Sequence, residues 1–110
     1  MTMDSITIGE ARELVQMFGN DAEATPFEVG KKYFIRTVTH HQVGRCTAVK
    51  GSFVVLENAS WVADDGRFHT AMSTGEFAEV EPFGDARVFV NTASIIDAVE
   101  WSHDLPAGVK

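Results

Sequence analysis

The sequence predicts a mainly β fold with one N-terminal α-helix, its strands forming a small five-stranded barrel. Three observations carry that prediction. Apolar residues recur at helical spacing near the N-terminus, and from residue 30 onward β-branched and aromatic residues run in short blocks bounded by glycine or polar turns. The last two strong blocks, RVFVN and IIDAVEW, are separated only by Thr92, Ala93 and Ser94, which demands a very tight connection. With 110 residues, 45% of them hydrophobic, the chain is long enough for one domain and too short for two domains with separate cores.

Thr7 followed by Glu10 forms a possible capping box, and Ile8, Ala11, Leu14, Val15 and Phe18 then share one helical face before Gly19 and Asn20 stop it. A helix is therefore expected over residues 7–19, with a polar linker over 20–29. The barrel is expected over residues 30–101. Its first strand spans 32–39, where aromatic and β-branched residues dominate. The run His40, His41, Gln42, Val43 is expected to break it and Gly44 to bend it, so that the second strand covers 45–49. Lys50 and Gly51 turn the chain into the third strand, 52–57, whose continuous apolar run implies burial on both sides. Residues 58–84 read as an insertion: an irregular loop to Gly66, a short helix over 67–73 with Phe68 and Met72 four apart, and an edge strand or extended loop over 76–83. Strands follow at 87–91 and 95–101, and the polar tail 102–110 is expected to fray.

Charge and cysteine content narrow the function classes. A formal net charge of −7 argues against simple binding of a polyanion, because such affinity comes from Lys and Arg neutralising phosphates. Nucleic acid is not expected as a partner. Lys31, Lys32, Arg36, Arg45 and Lys50 nonetheless fall in a stretch without Asp or Glu, so a positive patch on an acidic body is conceivable. Cys46 is the single cysteine and lies within a strand pattern, which reads as a buried structural thiol. No signal-peptide pattern and no apolar run long enough for a bilayer is seen, so a cytoplasmic protein without membrane contact is expected.

Candidate site residues gather around two corners. Adjacent His40 and His41 can titrate near neutrality, but neighbouring residues of an extended chain point to opposite sides and rarely ligate one ion together. A zinc site would need His69 or His103 brought alongside, and no metal-ligand spacing supports one. The loop Trp61, Val62, Ala63, Asp64, Asp65, Gly66, Arg67, Phe68 combines aromatics, acids and an arginine. It reads either as a recognition loop, with Trp61 or Phe68 stacking on a planar group and Arg67 pairing with an anion, or as a self-capped loop whose acids pair with Arg67. Arg36 and Arg45 join His40 and His41 if the register brings them to one rim. Glu79, Glu81, Asp97 and Glu100 fit an ordinary solvent face. There is no serine elbow, phosphate-binding glycine loop or cysteine with a positioned histidine motif, so no catalytic residue, metal or cofactor is expected.

The pattern GRCTAVKGSFVVLENA resembles the first motif of Sm-like and related SH3-like small barrels, and VFVNTASIIDAV resembles the second; together they cover about half the chain. The resemblance implies a helix followed by bent strands, and a homo-oligomer. Where the Sm pattern usually carries Arg-Gly or Lys-Gly, this chain has Asn91 and Thr92, so ring assembly and RNA binding lack their motif here; Asn91 is kept among the candidate ligand residues. Over residues 27–106 the chain is also similar in style to short proteins of tailed phages and prophages. These observations lead to the expectation of a non-enzymatic binding module in the cytoplasm of a bacterial host, a homo-oligomer that takes a small anionic or nucleotide-like ligand, such as a host defence signal, or a host protein. A minor head or tail component of a virion and an acidic, nucleic-acid-mimicking inhibitor are the alternatives.

Overall fold

The computed structural model describes residues 25–110; the helix expected over 7–19 lies outside them. One antiparallel sheet of six strands dominates. Strands β1 (Lys32–Thr37), β2 (His41–Lys50) and β3 (Phe53–Asp64) form a meander. A helix α1 (Phe68–Thr74) follows, then β4 (Glu79–Pro82), β5 (Val88–Asn91), a single 3₁₀ turn (Thr92–Ser94) and β6 (Ile95–Glu100).

The pairing order is β4, β3, β2, β1, β6, and β5 also pairs with β3. Both β4 and β5 lie along β3, one on each half: β5 opposite Phe53 to Leu56 and β4 opposite Ser60 to Asp64. Between the halves Asn58 has a left-handed φ of 50°. Such a φ is uncommon for residues other than glycine and best tolerated by Asn and Asp, so this residue type suits the bend. The chain passes from β5 on β3 to β6 on β1 through the 3₁₀ turn. The mainly β expectation holds, with six strands instead of five. The sheet is not closed by hydrogen bonds, because β4 and β6 end the pairing path and do not meet.

Three further expectations are corrected. The run after His40 does not break the sheet: β2 starts at His41, and only Val38 to His40 turn, held by Thr37 Oγ1 donating to the His40 carbonyl at 2.7 Å. Residues 58–64 are not an irregular loop but the second half of β3, stabilised by β2 on one side and β4 on the other, partners that local propensity cannot foresee. The tail does not fray. Trp101 is buried, His103 Nε2 lies 2.7 Å from the Met72 carbonyl, and Lys110 exchanges two backbone hydrogen bonds with Val80, each 2.9 Å. Here burial of a large indole outweighs the polar composition around it.

Alternation along β1 splits burial between two faces. Tyr33 and Ile35 join Cys46, Val54, Leu56, Ala59 and Val90 in one core. Phe34 joins Val43, Val62, Ala71, Phe77, Val80 and Trp101 in the other, which α1 and the tail cover. Phe77 and Trp101 stack there with ring centroids 5.1 Å apart. Burial pushes the Cys46 thiol pKa up, as suits an inert core cysteine.

Gly44 lies within β2, where the register with β3 shifts between Val43 and Arg45, and its role there is close packing. A Cβ added there would lie 2.9 Å from the Ala59 Cβ and 3.1 Å from its Cα, so backbone would have to move. Gly44→Ala is therefore expected to destabilise the fold by about 1–3 kcal/mol, whereas Gly108→Ala, with nothing near its added methyl, should change stability by less than about 0.5 kcal/mol. Urea unfolding of the two variants checks this.

Candidate functional site

The register of β1 with its two neighbours sets Asp97, Arg36 and His41 side by side across three strands. Directly paired residues project from the same face, here that of the Phe34 core. Arg36 Nε donates to Asp97 Oδ1 at 2.8 Å, and Nη2 donates to Oδ2. This fork raises the Arg36 pKa and, through the same hydrogen bond first of all, holds the Asp97 carboxyl below the usual aspartate range. The Arg36 guanidinium also lies 5.2 Å from the centroid of Phe68, at the start of α1. His41 Nδ1 sits 3.3 Å from Asp65 Oδ1, and its ring meets Phe34 edge-on at 5.7 Å. The loop after β3 is thus tied to the sheet through Arg36 and His41.

The opposite face of the same end carries Trp61. Ile35, Gln42, Trp61 and Glu81 are consecutive cross-strand partners, so Trp61 extends the Ile35 side and reaches solvent with 36% of its surface exposed. His40 approaches it with ring centroids 6.1 Å apart. A register shift between Val62 and Asp64 inserts Ala63 as a bulge, which re-aims Asp64 to lie opposite Glu79. Glu79 and Glu81 are two apart on β4, so Trp61, Asp64, Glu79 and Glu81 occupy one face. Asp64 Oδ1 also accepts from the Gly66 amide at 2.8 Å.

The structure therefore brings Arg36, His40, His41, Trp61, Asp64, Arg67 and Phe68 to one end of the sheet, but divides them between its faces. Trp61 and Phe68 do not face each other. Arg67 precedes α1, is exposed, and its guanidinium has no hydrogen bond or ion pair among the described residues. Arg45 lies elsewhere: it pairs with Lys32, and its Nη1 donates to the Gly30 carbonyl at 2.6 Å. Asn91 ends β5, where its Oδ1 accepts from the Ala93 amide at 2.9 Å and caps the 3₁₀ turn.

All of the basic stretch except Lys50 is engaged within the fold. Lys31 meets Glu28 at 3.3 Å and Glu100 at 3.6 Å, and Lys32 Nζ donates to the His103 carbonyl. Lys32, Arg36 and Arg45 do share a face, yet Phe34 and Trp101 lie between Arg36 and the other two. They form no common anion site. Two groups of residues carry no signal in the sequence that would mark them. Asp97 is tied to a residue 61 positions away, for which no local pattern exists; Glu79 and Glu81 fit ordinary solvent positions until pairing sets them beside Trp61 and Asp64.

Among the described residues no group of three His, Cys, Asp or Glu side chains is arranged to hold a metal ion, and no helix is long and apolar enough to cross a membrane. No family model, curated protein or solved structure matches the chain. Function must be read from the site itself.

The Arg36–Asp97 pair makes a pH-dependent contribution. Both side chains are more than a third exposed, and solvent screening limits the pair to about 1 kcal/mol or less. Because the folded pKa of Asp97 is depressed, this stability is full above the unfolded value, near pH 4, and is lost as pH falls through the lower folded value. The stability difference between the wild type and Asp97→Asn should accordingly be constant at neutral pH and shrink below about pH 4, as measured by urea titrations across that range.

Proposed function

We propose that the chain is a non-enzymatic binding module whose contact surface is the acidic β3–β4 face around Trp61, and that its partner is a protein presenting basic side chains. One observation carries this reading: an exposed indole flanked by Glu81, with Asp64 set directly opposite Glu79. Like charges directly opposed across strands destabilise a sheet. A basic partner converts that repulsion into attraction, and the indole face accepts a lysine or arginine by cation–π contact. The inverse distribution of bases supports the same side of the argument, since Lys31, Lys32, Arg36 and Arg45 are already occupied by the chain's own oxygens.

The expected small-barrel character belongs to this proposal as well: the 3₁₀ turn links a strand on β3 to a strand on β1, so the chain joins the two sides that hydrogen bonds leave open. Self-association through the outer edge of β6, unpaired among the described residues, and a phage or prophage origin in a bacterial cytoplasm are parts of the same reading. A second reading, a planar anionic ligand such as a nucleotide, keeps Arg67 as its support because that guanidinium is unengaged among the described residues. Calorimetry with a nucleotide panel decides it: heat that disappears in Arg67→Ala favours it, and no heat with any nucleotide removes it.

For the preferred reading, octa-arginine should quench the Trp61 emission of the intact protein, and the effect should weaken steeply with salt. Glu79→Lys with Glu81→Lys should abolish the quench while raising stability by roughly 0.2–1 kcal/mol, through relief of the Asp64–Glu79 repulsion. Equal quenching of both proteins would overturn the proposal.

A further inference from the structure

The outer side of the β3–β5 ladder carries an apolar cleft on the face of the sheet opposite to Trp61. Val55 pairs with Phe89, and beside it Phe53 pairs with Asn91 and Lys50. These positions alternate with Val54 and Leu56, which enter the Ile35 core, so they project to the other side. Phe53 and Phe89 are 43% and 56% exposed and, with Val55 and Lys50, line an open cleft of about 190 Å³. Arg87 holds its guanidinium 5.4 Å from the Phe89 ring. Among the described residues, Lys31, Lys32, Arg36, Arg45 and Lys110 are engaged by oxygens of the fold, whereas Lys50, Arg67 and Arg87 are not. Two of these three free bases border the cleft.

We infer that this cleft receives the acidic Trp61 face of a second copy of the chain, so that copies join head to tail. The inference rests on the acidic-face reading above and names its partner. Three observations select the second copy. The first is charge: Lys50 and Arg87 border the cleft, while Asp64, Glu79 and Glu81, without an ion pair among the described residues, lie around Trp61. The second is chemistry. An exposed indole set between Phe53 and Phe89 buries aromatic surface on both copies and offers Lys50 and Arg87 a further ring for cation–π contact. The third is placement. The two patches lie on opposite faces of the sheet and on opposite halves of β3, with Phe53 and Trp61 roughly 26 Å apart at about 3.3 Å per residue. They cannot meet within one molecule. A contact between two unlike patches leaves one of each free at the ends, so it propagates instead of closing as a dimer. The formal net charge of −7 sets two copies against each other at long range. At physiological ionic strength the Debye length is about 8 Å, which largely screens that repulsion and leaves the attraction between ions in contact.

Sedimentation of the full chain at physiological salt, from micromolar to near-millimolar concentration, tests this. The weight-average mass is expected to rise with concentration past that of two chains. Lys50→Glu with Arg87→Glu should hold it at one chain, and so should Glu79→Lys with Glu81→Lys. An equimolar mixture of the two variants should restore association, because each then faces surfaces of opposite charge on the other. Misfolded variants would show no such rescue. A mass of one chain at every concentration, while octa-arginine still quenches Trp61, overturns this inference alone; if the quench is absent too, the acidic face falls with it. Association that stops at two chains, survives either charge reversal or is not restored by mixing also overturns it.

Discussion

At Gly44 and Ala59 two strands approach so closely that a single additional methyl group has no room, and this approach lies where β3 bends. The bend lets one long strand serve two others along the same edge, β5 on its first half and β4 on its second. It also explains how so short a chain builds two cores. A flat three-stranded meander would bury one face; a bent one, with the 3₁₀ turn leading β6 back to β1, encloses the Ile35 side and leaves the Phe34 side for α1 and Trp101 to cover. Close packing at that point sets the relative positions of every other strand.

The insertion between β3 and β4 is consequently a cover and not a free loop. Ala71 is fully buried, and Gly75 ends the helix in a left-handed conformation with φ 79°, where an added Cβ would meet His103 at 2.5 Å. The tail thus rests directly on the helix end. Polar groups on this side are matched to one another: Arg36 with Asp97, His41 with Asp65, Lys110 with Glu76. Asp64, Glu79 and Glu81, without an ion pair among the described residues, lie on the opposite face at the same end, around Trp61. The exposed indole beside them is what distinguishes this candidate contact surface from the rest of an acidic exterior.

Local patterns in the sequence placed most elements well. Residues 32–37, 53–57, 88–91 and 95–100 are strands by pattern and by structure alike, because β-branched and aromatic runs bounded by turns need little tertiary help to be extended. The helix at Phe68–Thr74 and the short connection at Thr92–Ser94 were legible for the same reason: paired apolar residues four apart in one case, three residues between strong strands in the other. The buried state of Cys46 also accords with its strand setting.

Tertiary structure alone decided the rest. That Asn58 bends a strand instead of ending it depends on β2 and β4 flanking residues 60–64, and those partners are distant in sequence. The Ala63 bulge reverses the face of Asp64, and a one-residue offset of that kind carries no compositional mark. Arg36 looked available and is bound to Asp97; Glu79 and Glu81 looked unremarkable and flank an exposed indole. Strand identity is a property of neighbouring residues, whereas pairing register is a property of the whole sheet, and it is register that chooses which charges meet.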